Sequence, residues 1–393
     1  MTKQSPSNQN QKNSNNLLEN IAQRAELKEG KELVRRILRE IYRSGTIGSK
    51  SLARKLYLPI PTVAAVRKEL EKEGIIDRNN KGAILTEKGL RYVTEQLSLS
   101  YIEDLTCKTC EGTTIELPSN IDEIFQKMRA FTSIRPIPKT DIDQAYGKPI
   151  TAIRRAYFML QNDDIEGREI ALLGDDDFTS LAISLLKVKA KITVFDIDER
   201  LLKIIKDVAQ ENNFDITCIQ HDLREPIPEF LQNKFDVVLT DPPYTLSGLN
   251  LFLSRTLQIL KGEQNKKIYL AYAHRAPNDL LELQRVIFAH GLAIQQLLPG
   301  FNLYEGAEMH GNTTFLSILS TTDSAKILYP THYSDNIYTG ELNPTIRIYQ
   351  CANGHEIRVG ASEEISSIEI LKTSGCPICF SKESFTRLQT LKH

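Results

Sequence analysis

The chain has 393 residues, of which 41% are hydrophobic and 25% charged, a composition typical of globular proteins with two or three domains. The net charge of −1 argues against a protein shaped as a whole for polyanions, and no apolar run reaches the roughly 18 residues of a membrane span. Residues 1–16 are polar and lack the apolar core of a signal peptide, so we expect a disordered tail and a cytoplasmic location without a membrane partner.

Residues 17–100 have the order of helices and strands that is typical of a winged-helix domain. Leu33, Ile37 and Ile41 recur at the spacing of an amphipathic helix, and two shorter helices are expected after it. Two short apolar runs around a turn at residues 79–82 then predict a β-hairpin, which a last helix follows.

The charge of this domain leaves two functions open. Residues 31–95 contain 15 Lys and Arg against 8 Asp and Glu, an excess that suits DNA phosphates. However, the expected recognition helix carries Glu69, Glu71 and Glu73, which would repel a phosphate backbone. We therefore expect this domain to pack against the rest of the chain or to mediate dimerisation, and a nucleic-acid partner is the less favoured alternative.

The next segment, residues 101–150, is expected to be a linker that ends in a proline-rich stretch. It contains Cys107 and Cys110, and a C-x-x-C pair in a cytoplasmic protein favours metal or redox chemistry over a structural disulfide. The two thiols are only half of a metal site. They could complete one with a partner subunit, form a disulfide or stay reduced, and the sequence leaves these alternatives open.

Residues 151–344 alternate strand and helix patterns and predict an α/β domain with a doubly wound, Rossmann-like sheet of the class I methyltransferase type. The central strands are continuous apolar runs, as parallel strands are when helices cover both faces of a sheet. The expected strands are Glu169–Leu173, Ile192–Asp196, Ile216–Gln220, Phe235–Thr240, Lys267–Ala271, Leu292–Leu298 and Thr314–Leu319.

Acidic residues stand at the ends of the first four strands, where ligands bind in such sheets. The four strand ends are Gly174–Asp177, Asp196–Ile197, Asp222–Leu223 and Asp241–Tyr244. The second end follows the first glycine by 22 residues, close to the roughly 20-residue interval at which an acidic residue reaches ribose hydroxyls. The aspartate of the third end could accept a hydrogen bond from an adenine amino group.

The first strand end indicates which cofactor the site takes. Gly174 is followed by three carboxylates, whereas a dinucleotide site needs a G-x-G-x-x-G loop whose backbone approaches a pyrophosphate. Three carboxylates would repel phosphate and favour a nucleoside that carries a positive sulfonium. One of the three is explained equally well as the cap of the next helix.

The fourth strand end, Asp241–Tyr244, suits an amine. Its two prolines stiffen the backbone, and its tyrosine offers an aromatic face to a cation. In amino-group methyltransferases such a motif holds the nucleophilic nitrogen, although a plain turn at a strand end would also account for it.

Residues 345–393 contain a Cys/His pattern and a short tail. Cys351 and His355 are separated by 20 residues from Cys376 and Cys379. Two close pairs of sulfur and nitrogen ligands suit tetrahedral zinc in a zinc-ribbon-like module, and a zinc with four protein ligands would be structural. The alternative is free thiols in a small exposed domain.

Together these motifs resemble the branched-chain polyamine synthase family, also called N(4)-bis(aminopropyl)spermidine synthases. The resemblance extends over about residues 30–320 and includes the winged helix. The matching segments are Cys107–Gly112, Ile142–Tyr146, Leu172–Ser180, Phe195–Leu201, Asp222–Pro228 and Phe235–Pro243.

The resemblance implies transfer of an aminopropyl group from decarboxylated S-adenosylmethionine to the secondary amine of spermidine. A homodimer would form N(4)-aminopropylspermidine, then N(4)-bis(aminopropyl)spermidine, and release methylthioadenosine. An acidic wall fits both substrates, because the decarboxylated donor carries an ammonium group without a carboxylate and the acceptor is a polycation.

The resemblance also implies roles for individual residues. Asp176 would orient the attacking amine and take its proton, and Asp241 would be the second catalytic carboxylate. The polyamine would also contact Asp143, Tyr146, Asp177 and Tyr244. The donor would be bound by Gly174, Asp175, Asp196, Ile197, Asp222 and Leu223.

Two other functions remain open from the residues alone. One is an S-adenosylmethionine-dependent amino-methyltransferase acting on nucleic acid, which the motif Asp241–Tyr244 favours and the carboxylates Asp175–Asp177 disfavour. The other is a polyamine-sensing, DNA-binding regulator with a degenerate enzyme domain. The basic charge of residues 31–95 favours it, and the intact acidic strand ends disfavour it.

Overall fold

The structure, a computed structural model, describes residues 17–100, 102, 115–305, 312–342, 345–360, 363–365 and 367–392. The predicted polar tail at residues 1–16 and the pair Cys107 and Cys110 lie outside the described residues. No helix within these described ranges is long and apolar enough to cross a membrane.

The N-terminal domain is a winged helix, as its sequence predicts. Its elements are α1 (residues 17–24), α2 (Lys31–Ser44), β1 (Thr46–Ile47), α3 (Ser49–Leu56), α4 (Ile60–Lys72), β2 (Ile76–Asn79), β3 (Gly82–Leu85), α5 (Glu87–Arg91) and a π-helical turn at Tyr92–Gln96. Leu33, Ile37 and Ile41 are buried on one face of α2 and belong to a hydrophobic cluster of this domain alone. The predicted hairpin forms, and the strand β1, which the sequence analysis missed, joins it in the order β1-β3-β2.

The central domain is built on a seven-stranded sheet. Its strands are β4 (Glu169–Leu173), β5 (Lys191–Asp196), β6 (Ile216–Gln220), β7 (Val237–Thr240), β8 (Lys267–Ala273), β9 (Leu292–Leu303) and β10 (Thr313–Thr321). They lie in the order β6-β5-β4-β7-β8-β10-β9, and β10 runs antiparallel to both of its neighbours. The order reverses between β4 and β7, which confirms the doubly wound sheet of the class I methyltransferase type.

Helices cover both faces of this sheet. They are α7 (Pro149–Gln161), α8 (Thr179–Leu185), α9 (Glu199–Asn212), α10 (Leu246–Ile259) and α11 (Pro277–Ala289). Leu172 and Leu239 belong to the hydrophobic cluster on one face, whereas Leu173 and Val238 belong to the cluster on the other. Because successive side chains of a strand point to opposite faces, burial of both faces requires the continuous apolar runs seen in the sequence.

The second half of the predicted linker belongs to this domain. Residues 115–148 contain α6 (Asp122–Ser133), and Met128 and Tyr146 are buried in the same cluster as the sheet. Gly147 forms a β-bridge with Tyr304 beside the sheet. The prediction of a linker over residues 101–150 is therefore incomplete, since apolar side chains of this segment cover one face of the sheet.

After β10 the chain crosses the carboxyl end of the sheet as a strap, residues 329–342, that ends in α12 (Thr339–Leu342). Arg255 on α10 is fully buried and donates hydrogen bonds to the carbonyls of Tyr329 at 2.6 Å and Thr331 at 2.7 Å. Thr245 donates to the carbonyl of Ile337 at 2.5 Å, so the strap is tied down at two places.

The C-terminal module is a small sheet with one helix. Its elements are β11 (Thr345–Cys351), β12 (Glu356–Val359), α13 (Ile368–Ser374) and β13 (Phe385–Lys392), and the strand order is β12-β11-β13. Its buried side chains, among them Tyr349 and Leu371, form a cluster separate from those of the other domains. The chain thus divides into the three folded parts that its sequence predicts.

Candidate functional site

A pocket opens at the carboxyl ends of β4 to β7, where the strand order reverses. It contains about 810 Å³ of space, part of which is open to solvent. Nine of the residues expected in the site line it: Asp143, Gly174, Asp176, Asp196, Ile197, Asp222, Leu223, Asp241 and Tyr244. Tyr146, Asp175 and Asp177 are buried and are not part of this lining.

The end of β5 presents a carboxylate in a fixed position. Asp196 accepts hydrogen bonds from the backbone N–H groups of Asp198 at 2.8 Å and Asp175 at 3.2 Å. Gly174 ends the adjacent strand with a φ of 77°, a left-handed conformation that glycine adopts without strain. The glycine lines the pocket at this turn, next to the carboxylate-bearing end of β5.

The end of β6 adds a second carboxylate and an apolar surface. Asp222 accepts a hydrogen bond from the backbone N–H of Arg224 at 2.9 Å, and the buried Leu223 lines the pocket next to it. Ile197 provides a further apolar contact from the end of β5. Polar groups at the rim of an apolar slot suit the ribose and base of a nucleoside.

Asp175 is a helix cap. Its carboxylate accepts hydrogen bonds from the backbone N–H of Thr179 at 2.7 Å, from that of Ser180 at 3.2 Å and from the Ser180 hydroxyl. These donors belong to the first turn of α8, where a carboxylate satisfies free N–H groups and the helix dipole. The capping alternative thus explains one of the three aspartates, and the direct donor contact expected of Asp175 is not supported.

Asp177 is also engaged inside the protein. Its carboxylate forms an ion pair with Arg155 at 2.8 Å and accepts a hydrogen bond from the backbone N–H of Gly147. Both partners of the ion pair are almost fully buried. The direct polyamine contact expected of Asp177 is therefore not supported, and this residue joins α7 to the end of β4.

Arg155 connects four side chains and was not predicted from the sequence. Besides Asp177, its guanidinium donates to Asp241 at 3.0 Å, to the Tyr304 hydroxyl at 3.0 Å and to Asn302 at 2.8 Å. Burial alone would lower the pKa of Arg155, but Tyr304, Asp177 and Asp241 raise it above its ordinary value. Arg155 is therefore a permanent cation at the back of the pocket.

A sequence signal for this arginine did exist. Arg155 shares helical spacing with Ala152, Ala156 and Met159, which are all buried on the apolar face of α7. A charge on such a face is rare unless it is paired, so it indicates a buried acidic partner.

Asp176 is the one aspartate of the triplet that faces the pocket. Among the residues that the structure describes, its carboxylate has neither a hydrogen-bond donor nor an ion-pair partner. Burial, together with the carboxylates of Asp177, Asp241 and Asp196, raises the pKa of Asp176 well above its ordinary value. A half-buried carboxylate whose charged form is disfavoured in this way binds a proton or another cation readily.

Two tyrosines surround the carboxylate of Asp241. The Tyr244 hydroxyl donates to it at 3.1 Å, and the Tyr304 hydroxyl donates to its other oxygen. The Tyr244 ring packs against Tyr272 with 5.1 Å between ring centroids. Tyr304 comes from the end of the β9 strand, far away in sequence, and no local pattern predicted it. Together these groups form an aromatic and acidic wall that suits an amine.

Arg135 holds the loop that carries Asp176. Its guanidinium donates to the backbone carbonyls of Asp176 at 3.2 Å and Gly147 at 3.1 Å, and it stacks on the Tyr146 ring at 4.4 Å. The buried Tyr146 hydroxyl has no hydrogen-bond partner among the described residues. Tyr146 thus supports the loop through its ring, and its hydroxyl keeps an unused hydrogen-bonding capacity.

The strap covers the open side of the pocket. Asp143 accepts a hydrogen bond from the backbone N–H of Thr339 at 2.7 Å, and Tyr338 lines the pocket beside it. Arg224 forms an ion pair with Glu341 at 2.5 Å and lies 5.1 Å from the Tyr338 ring centroid. The structure therefore adds the strap to the site, which sequence analysis had confined to the strand ends and Asp143–Tyr146.

The predicted metal ligands of the C-terminal module come together. The ligand atoms of Cys351, His355, Cys376 and Cys379 all lie within 4.8 Å of one another. The Cys351 sulfur is 3.5 Å from His355 Nδ1 and 3.8 Å from the Cys379 sulfur. Tetrahedral zinc with Zn–S bonds of about 2.3 Å spaces its sulfur ligands about 3.8 Å apart, so the four residues fit structural zinc.

We expect the purified protein to carry about one zinc per chain in this module. Replacing Cys376 by Ser should remove most of the zinc and lower the unfolding temperature of the module, because the metal holds its two ligand pairs together. Elemental analysis and thermal unfolding measure both effects. Cys218→Ser, on the distant strand β6, is the control, and full zinc content in Cys376→Ser would contradict the assignment.

Comparison with known proteins agrees with the fold. The profile of the branched-chain polyamine synthase A C-terminal domain matches residues 123–371, and the MarR family profile matches residues 35–81. An uncharacterised protein of Methanocaldococcus jannaschii, MJ0675, is 42% identical over 356 residues, which are 90% of this chain and 89% of that protein.

Relatives with a named activity are also similar. The N(4)-bis(aminopropyl)spermidine synthase of Thermococcus kodakarensis is 35% identical over 63% of this chain and 70% of its own length. The fold is shared with the branched-chain polyamine synthase of Thermus thermophilus, whose crystal structure contains N4-aminopropylspermidine and 5′-methylthioadenosine. That match has a TM-score of 0.66 at 23% identity and covers 84% of this chain and 98% of the other. The resemblance found in the sequence is confirmed, and the chain belongs to the branched-chain polyamine synthase family.

Proposed function

We propose that this protein transfers the aminopropyl group of decarboxylated S-adenosylmethionine to the secondary amine of spermidine. The observation that carries the proposal is the carboxylate of Asp176, which faces the pocket where the strand order reverses. Among the described residues it has no hydrogen-bond donor and no ion-pair partner. Such a carboxylate lies where a nucleoside above β5 and an amine beside Asp241 would meet. Family membership and the names of the relatives support the same reaction.

The donor is expected to bind along the ends of β4 to β6. Asp196 would accept from the ribose hydroxyls, and Asp222 with Leu223 would contact the base. Gly174 and Ile197 would complete this slot. Asp175 would act indirectly, because its backbone N–H holds the carboxylate of Asp196.

The acidic pocket would also select the donor. Burial raises the pKa of Asp143, Asp176 and Asp196, because it disfavours the charged form of each carboxylate. The ammonium and sulfonium charges of the donor would attract these carboxylates, whereas the carboxylate of ordinary S-adenosylmethionine would repel them. The decarboxylated donor is therefore favoured.

The acceptor is expected to lie against Asp241, Tyr244 and Tyr304. These groups offer an acidic and aromatic surface to the polyamine, and Arg155 behind them keeps the carboxylate of Asp241 in place. Asp143 would contact a distal amine from the other side of the pocket. Tyr146 and Asp177 would act by supporting the loop of Asp176.

The reaction itself is a nucleophilic substitution at carbon. The neutral secondary amine attacks the aminopropyl carbon next to sulfur, the carbon–sulfur bond breaks, and its electron pair stays on sulfur as methylthioadenosine leaves. Asp176 holds the amine and accepts its proton, so that a tertiary amine forms. A second transfer to that amine gives a quaternary ammonium and needs no further N–H bond.

We further propose that the chain forms a homodimer. The edge strand β9 runs for 12 residues and exposes Leu297, and the neighbouring α11 exposes Leu281 and Phe288. Exposed apolar edges of this kind are usually covered in proteins. Light scattering decides the question, since a monomer has a mass of 44.5 kDa and a dimer twice that.

The reaction is tested by incubating the protein with spermidine and either form of the donor. We expect mass spectrometry to show a gain of one and then two aminopropyl units with the decarboxylated donor only. Asp176→Asn should lower the rate by about 10²–10⁴-fold, because it removes the base but keeps the shape of the side chain. Asp141→Asn, an exposed carboxylate outside the pocket lining, should retain the wild-type rate.

Two outcomes of this assay would contradict the proposal. Transfer of a methyl group from S-adenosylmethionine to RNA or DNA, without an aminopropyl product, would establish the methyltransferase instead. A protein that binds duplex DNA tightly and modifies none of these substrates would favour the regulator. Linear polyamines other than spermidine belong in the same assay, because they define the acceptor.

The raised pKa of Asp176 predicts how stability depends on pH. An unfolded aspartate ionises near pH 4, so between that pH and the higher folded pKa the folded chain binds more protons than the unfolded chain. The free energy of unfolding of the ligand-free wild type should therefore fall relative to Asp176→Asn as the pH rises above about 4. The expected limiting slope is about 1.4 kcal/mol per pH unit, measured by urea denaturation, and a difference independent of pH would contradict it.

A further inference from the structure

We propose that the winged helix positions the transfer site. Tyr57 at the end of α3 packs against residues that hold the motif Asp241–Tyr244 in place. This inference rests on the proposed function for its kinetic consequences. The contacts that carry it run through two residues after β8, His274 and Arg275.

Tyr57 has a backbone conformation that a bulky side chain rarely adopts. Its φ of 56° lies in the left-handed region, and it ends α3 at a position where glycine is common. Strain of this kind persists when surrounding contacts hold it, and it is concentrated at functional positions.

The Tyr57 ring reaches the central domain. It stacks on the His274 ring with a centroid distance of 4.8 Å and an interplanar angle of 28°. It also covers the backbone of Gly300, where a Cβ would lie 2.2 Å from the tyrosine Cε1. Gly300 in turn donates its backbone N–H to His274 Nε2 at 3.3 Å. A glycine is needed at position 300, because any larger residue would clash with the Tyr57 ring.

The residue after His274 contacts the acceptor motif directly. Arg275 donates a hydrogen bond to the backbone carbonyl of Tyr244 and lies 5.5 Å from the ring centroid of Tyr272. The Tyr272 ring packs on the Tyr244 ring, whose hydroxyl donates to Asp241 at 3.1 Å. A displacement of His274 would therefore be passed through one peptide bond to the groups that hold the acceptor amine.

The orientation of the winged helix is consistent with this role. In a DNA-binding winged helix, the N-terminal end of the recognition helix reaches the bases. Here the corresponding residues, Pro59 and Thr62, line a cleft whose other side is formed by His274 and Pro277. The end of α4 that would contact bases thus faces the central domain.

The glutamates of the recognition helix disfavour DNA binding less than the sequence suggested. The argument against a DNA-binding role therefore rests on the orientation of the helix. Glu69 is bound by Arg24 at 2.8 Å and Lys72 at 2.6 Å, and Glu73 is bound by Arg24 at 2.7 Å. The repulsion expected from these glutamates is therefore largely neutralised inside the domain.

The test compares Tyr57→Ala, Tyr57→Phe and Lys28→Ala in the full-length protein. We expect Tyr57→Ala to lower kcat by about 10- to 100-fold, because a small displacement of the acceptor motif is sufficient for such a loss. The dissociation constant of methylthioadenosine should stay unchanged, since the donor slot does not involve the brace. Tyr57→Phe keeps the stacked ring and should restore kcat. Lys28→Ala breaks only an exposed ion pair with Asp279 in the same interface and should have the wild-type kcat.

A double variant distinguishes loss of the ring stack from a general loss of structure. If the brace acts through the ring stack, His274→Ala should lower kcat in the wild type but add little to Tyr57→Ala. The fraction of protein that binds methylthioadenosine should be equal in all variants, which excludes partial unfolding as the cause. Tyr57→Ala with a kcat within about twofold of the wild type would overturn the proposal.

The brace can be tested even if the proposed reaction is wrong. An inert wild type would refute the function, but hydrogen exchange at the backbone amides of residues 244–248 would still report on the motif. We expect faster exchange there in Tyr57→Ala than in Tyr57→Phe or Lys28→Ala. Equal exchange in all three variants would refute the brace independently of any activity.

Discussion

The candidate site depends on one buried cation, Arg155, placed between the carboxylates of Asp177 and Asp241. Two carboxylates at neighbouring strand ends could not both remain charged in a buried setting without such a partner. The arginine forms an ion pair with each of them, so one positive charge is shared between two negative charges. Asp176, which shares a loop with Asp177 and lines the pocket together with Asp241, is left as the carboxylate that faces a ligand without an ion-pair partner among the described residues. The pocket therefore keeps an excess of negative charge, because a single arginine faces several carboxylates.

This division explains how a single acidic pocket can serve two cationic substrates. Burial raises the pKa of Asp176 and of Asp196, which both line it. In the proposed function, a sulfonium donor and a polyamine would bring positive charges to these carboxylates, and much of the binding free energy would come from that attraction. An anionic group on either substrate would reverse that contribution. The same electrostatics would thus give affinity for both substrates and discrimination against the carboxylated donor.

The sequence was sufficient for the fold and for the strand ends that line the pocket, but not for the contacts that each aspartate makes. Strand ends could be located because buried parallel strands are apolar runs, and acidic residues directly after them are easily recognised. Which aspartate of Asp175–Asp177 faces a ligand depends on Ser180 and Arg155, which bind the outer two from neighbouring helices. Tyr304 and the strap reach the pocket from distant segments without any local pattern. Side-chain direction at a strand end is therefore a tertiary property, and only the resemblance to a family indicated Asp176.

The winged helix shows a further limit of reasoning from composition. A charge excess over residues 31–95 describes the segment but not its surface, since Arg24 and Lys72 neutralise glutamates within the same domain. What remains informative is geometry: the end of α4 faces the central domain, and the strained Tyr57 at the end of α3 fills a space that Gly300 leaves open. A domain whose relatives include the MarR family would then act on the chemistry through one aromatic ring rather than through its recognition helix. This arrangement would make the position of the acceptor motif, and with it the rate of transfer, dependent on the packing of two domains.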